Sequence, residues 1–72
     1  MTREEALDVQ KAYPNLEFAR VRVAAHLDEI YKAMEEFENQ GRILEASRLE
    51  AYYEGSAAEL EDIDMAIAAL NT

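Results

Sequence analysis

Leu16, Arg20, Val23, Leu27, Ile30, Met34 and Phe37 follow one another at 4-3-4-3-4-3 spacing. This is a heptad seam, the stripe of a helix that packs along its length against another helix. Arg20 is its one charged member. Continued in the same frame, the seam needs core residues at positions 41, 44, 48, 51 and 55, which hold Gly, Leu, Arg, Ala and Gly. The pattern fails there and a new frame takes over: Ala46, Leu49, Tyr53, Ser56, Leu60, Ile63, Ile67 and Leu70. The change falls at Gly41, a residue suited to the left-handed position that closes a helix. Two long helices, 15–40 and 42–70, meeting at such a turn form an antiparallel helical hairpin.

The pairing is consistent along its length. Folding back around Gly41 sets residues opposite when their numbers sum to about 82 or 83. Met34 then faces Leu49, Ile30 faces Tyr53, Leu27 faces Ser56 and Val23 faces Leu60. Arg20 and Arg22 come alongside Glu61, Asp62 and Asp64. From Leu49 onward there are six acids and no base, so charge favours the same arrangement.

A short helix, 3–12, precedes the hairpin. Thr2 and Glu5 spell a capping box at its start. Pro14 ends it, because the residue before a proline avoids the α region. Asn15 is placed to cap the second helix. One stretch is ambiguous. In "YYEGSAAELED", residues 52–62, Gly55 followed by Ser56 and Glu59 spells a helix stop and a helix start. Yet Leu49, Tyr53, Ser56, Leu60 and Ile63 keep their phase through Gly55, which a loop would lose. The spacing therefore predicts one helix over 42–70, bent near Gly55.

The chain is all-α and reads as a single domain, 1–72, with the hairpin at 15–71. Its 72 residues contain no cysteine, and thirteen of its apolar residues are alanine. A chain so small has little core of its own, and self-association is the natural supplement. Its apolar surface points the same way. The third helix carries Leu44, Ala51, Gly55, Ala58, Ala66 and Ala69 on a second face, interrupted by Arg48 and Asp62. The second helix carries Phe18, Val21, Ala24, Ala25 and Tyr31 off its seam. One partner helix cannot cover both faces. The first helix is expected to cover part, near Phe18 and Val21. The remainder predicts a second copy, giving a homodimer resembling a four-helix bundle, or a different protein. Tyr52, off the main seam, is placed to face a partner.

Net charge is −9. Such acidity argues against direct binding of nucleic acid or an anionic membrane and favours a partner with a basic surface. The longest apolar run, 65–70, is too short to cross a bilayer. No signal-peptide pattern is present. The expectation is a soluble, cytoplasmic chain.

No phosphate loop, cysteine cluster or nucleophile motif occurs. No enzyme activity, cofactor or metal is expected. His26 lies one turn after Arg22 and three residues before Glu29, which reads as the edge of the seam more readily than as half of a metal site. Tyr31, Tyr52 and Tyr53 should meet near mid-hairpin, with Tyr13 reaching them. Glu35, Glu36, Glu38, Glu59, Glu61, Asp62 and Asp64 form the candidate acidic face. The function expected is a non-catalytic interaction module that modulates or inhibits a partner protein. Phage-type inhibitors, antitoxins and immunity proteins are comparable in size and class only. Two alternatives are a nucleic-acid mimic using the acidic face, and a small-ligand or metal site at a dimer interface.

Overall fold

The computed structural model describes all 72 residues, in the order α1 (Arg3–Ala12), α2 (Leu16–Asn39) and α3 (Ile43–Leu70). Local chemistry sets each boundary. Thr2 Oγ1 accepts from the Glu5 N–H at 3.2 Å, and the Thr2 N–H donates to Glu5 Oε1 at 2.9 Å. The backbone N–H of Thr2 is the main cause that holds the Glu5 carboxyl below its ordinary pKa. Asn15 Oδ1 caps α2 by accepting from the Phe18 N–H at 3.0 Å. At the other end Gly41 takes φ +73°, the Arg42 N–H reaches Phe37 O at 2.8 Å and the Gly41 N–H reaches Glu38 O at 3.0 Å. These two bonds are a complete Schellman stop. Arg42 then stacks over the Phe37 ring at 4.8 Å and pairs with Glu45 at 3.2 Å.

α3 runs unbroken through Gly55 for 28 residues. A mid-helix glycine costs about 1 kcal/mol relative to alanine. Keeping Tyr53, Ser56, Leu60 and Ile63 in one phase against α2 outweighs that cost. α2 and α3 pack as the antiparallel hairpin. Arg20 Nε meets Asp64 Oδ1 at 2.5 Å, and the Tyr31 and Tyr53 rings lie 6.5 Å apart, both close to the expected register. Arg22 departs from it. Its guanidinium lies over the Phe18 ring at 5.8 Å instead of joining the acids of α3.

α1 also departs from expectation. It packs on α3, and Phe18 and Val21 stay 59% and 64% exposed. Ala6, Leu16, Ile63 and Ala66 form the buried cluster, with Val9, Tyr13, Val23 and Ile67 packed against it. The reason is geometric. Over Phe18 and Val21 the short helix would cover only the outer side of α2. Against α3, small Ala6 meets small Ala66 and completes a core already lined by Leu16 and Ile63.

The result is elongated, 46 × 17 × 17 Å. Its radius of gyration is 14.8 Å. A globular domain of this length has about 11 Å. Its accessible surface is 5212 Å². A folded monomer of this mass exposes about 4,500 Å². No helix is long and apolar enough to cross a membrane.

Candidate interaction surface

The small-residue stripe of α3 is divided by α1. At ten residues α1 spans about 15 Å, while α3 spans about 42 Å. Ala66 is wholly buried under α1 and Ala69 packs against the same core. Ala58 and Gly55 border α1, lining a shallow groove with Val9, Ala12 and Tyr13. Leu44 and Tyr52 lie beyond it, 64% and 57% exposed, and Ala51 is exposed between them. Ile43, at the helix start, is open as well. A Cβ added at Gly55 would meet nothing within 4 Å. Within one chain, therefore, no close approach of another backbone explains that glycine.

The four tyrosines do not gather. Tyr31 leans on Tyr53 across the hairpin. Tyr52 turns to the other flank, edge-on to His26 at 5.6 Å, with its hydroxyl 3.4 Å from Nε2. The Tyr13 hydroxyl donates to the Glu59 carboxylate. That bond, reinforced by burial, pushes the Tyr13 pKa above its ordinary value. Tyr13, Arg22, His26, Glu29, Ser56 and Glu59 line an open groove between α2 and α3. His26 and Glu29 therefore share one wall, but no set of three metal-ligating side chains converges anywhere in the chain.

The acidic candidates also divide. Glu59 and Asp62 face α1, the first through Tyr13 and the second beside Val9 and Ala12. Asp64 lies on the other flank with Arg20, and Glu61 shares its side of the helix one turn away. Glu35, Glu36 and Glu38 sit near the hairpin turn, about 20 Å along the axis from the acids around Glu61. Glu36 there accepts from the Gln40 side chain at 3.5 Å. Two further acids, Glu50 and Glu54, share the Glu61 flank. The signal for them was present in the sequence, as a heptad stripe one step round the helix from the seam.

Fold and surface together define a class: a small acidic helical hairpin with a docked N-terminal helix and apolar side chains left open on both long helices. Compared with family models, with curated proteins and with solved structures, the chain matches none.

Proposed function

We propose that this chain is a non-catalytic protein–protein interaction module, which self-associates and acts by binding and modulating a partner protein. The observation that carries the proposal is the open half of α3. Leu44, Arg48, Ala51 and Gly55 continue, at the same spacing, the stripe that α1 covers further along. α1 ends at the groove that Gly55 borders and does not extend to Leu44, Arg48 or Ala51. A second copy laid antiparallel on this half would cover Leu44 and Tyr52 and bring a backbone against Gly55. The large surface and the small core of the isolated chain support the same conclusion.

The test is mass in solution. Light scattering over a range of concentrations should give twice the 8.2 kDa chain mass. Leu44→Glu, at an exposed position, should return the chain to a folded monomer. A wild-type protein that stays monomeric throughout would refute self-association. Cross-linking from a photoreactive group at Tyr52, followed by mass spectrometry, then asks whether the partner is a second copy or another protein.

A further inference from the structure

The flank of the hairpin away from α1 carries the most one-sided charge in the molecule. On α2, Glu17, Val21, Ala24, Asp28, Tyr31 and Glu35 recur at 4-3-4-3-4 spacing. On α3, Glu50, Glu54, Ala57, Glu61, Asp64 and Ala68 do the same. Each set is one stripe of its helix. The two stripes flank the hairpin on the same side and meet at one end in a shallow groove lined by Glu17, Arg20 and Val21 from α2 and Asp64, Ile67 and Ala68 from α3. The Arg20–Asp64 pair crosses that groove, and the Tyr31–Tyr53 contact crosses the hairpin further along. The two stripes hold seven acids and no base.

Neighbouring cations neutralise only part of this flank. Arg20 and Lys32 pair with Asp64 and Asp28, which leaves Glu17, Glu35, Glu50, Glu54 and Glu61 without an ion pair. Arg22 and His26 line the groove on the other flank. Charge alone would leave a solvated surface. Here, however, the acids alternate with exposed apolar side chains, Val21 at 64% and Tyr31 at 51%. A surface of exposed apolar side chains set among acids is complementary to a helix that carries apolar side chains flanked by basic ones. A second copy of this chain is a poor occupant, since it would set the same five unpaired acids against one another.

We propose that this flank, from the groove at Glu17 and Asp64 toward the hairpin turn, binds a basic amphipathic α-helix of the partner protein. The stripe from position 17 to 35 is about 27 Å long, the length of a helix of about 18 residues. The apolar face of that helix would rest on Val21, Ala24 and Tyr31. Its Lys and Arg side chains would meet Glu17, Glu54 and Glu61. The proposal rests on the interaction-module reading and names the chemistry of the partner. It uses a different face from the self-association stripe of α3.

The test is titration of the full chain with a labelled synthetic Lys/Leu peptide of helical periodicity, about 18 residues long. A scrambled peptide of the same composition is the control. Val21→Asp and Ala68→Glu are the deciding variants, because both sites are exposed and both changes add negative charge. Docking in the groove requires each to weaken binding by about tenfold or more. Diffuse attraction between opposite charges predicts equal or tighter binding instead. Circular dichroism checks that both variants remain helical. Equal affinity for the scrambled peptide, or undiminished binding by folded Val21→Asp and Ala68→Glu, would overturn the proposal. Light scattering separates the two readings: loss of peptide binding in a protein that still dimerises removes only this one.

Discussion

The Tyr13 hydroxyl donates a hydrogen bond to the Glu59 carboxylate and so fastens the end of α1 to the middle of α3. α1 packs on α3, so this bond and the insertion of Ala6 beside Ile63 hold it in place. The bond needs a neutral phenol, and the carboxylate raises the Tyr13 pKa for that reason. Its contribution to stability is complete below the ordinary tyrosine value of 10.0 and is lost as pH rises through the raised folded value. Tyrosinate absorbance should show a late-titrating component that Tyr13→Phe removes. Amide exchange in residues 3–12 should quicken in that variant. A late component that survives Tyr13→Phe would reassign the shift to another tyrosine.

The start of α1 should respond to acid in the opposite sense. Glu5 is held below its ordinary 4.5 by the Thr2 N–H. Its contribution is therefore present above 4.5 and fades as pH falls through the lowered folded value. Thr2→Ala removes the other half of the capping box and should cost about 1 kcal/mol. Exchange rates in the first turn of α1 measure both effects, while α2 and the far half of α3 should be unchanged.

The two glycines should give opposite answers to the same substitution. Gly41 has φ +73°, where a Cβ is strained whatever space surrounds it. Gly41→Ala should lower stability by about 1–2 kcal/mol. Gly55 is helical, with open space where a methyl group would go. Gly55→Ala should therefore raise the stability of the fold by about 1 kcal/mol. If a second copy approaches α3 at that point, the same variant should dimerise less well while melting higher. Thermal denaturation paired with light scattering reads both quantities.

What was legible in the sequence was what depends on neighbours along the chain. The two heptad frames, their break at Gly41 and their continuity through Gly55 define the hairpin, and the caps at Thr2 and Asn15 are local bonds. What was not legible depends on direction around a helix and on docking. Tyr52 and Tyr53 are adjacent letters but point about 100° apart. One therefore meets His26 and the other Tyr31. Asp62 and Asp64 divide between the flanks for the same reason. α1 carries no sequence signal that chooses between α2 and α3. Its position follows from the fit of Ala6 against Ile63 and Ala66, which exists only once the hairpin has formed.

That fit is the part of the fold most sensitive to substitution. Ile63 is the largest side chain wholly removed from solvent. Ile63→Ala should cost about 2–5 kcal/mol. A domain of this length has roughly 4–11 kcal/mol in total. The variant should therefore melt far below the wild type, or fail to fold at ambient temperature. Ala66→Glu should be comparably damaging, because it places a carboxylate beneath α1 with no cation in the cluster to meet it. Leu44→Glu, on the open half of the same helix, should leave the melting of the monomer nearly unchanged. The order of the three melting curves by circular dichroism tests where α1 sits. If Ala66→Glu melted like Leu44→Glu, α1 would not be seated on Ala66, and the division of α3 into a covered and an open half would fall with it.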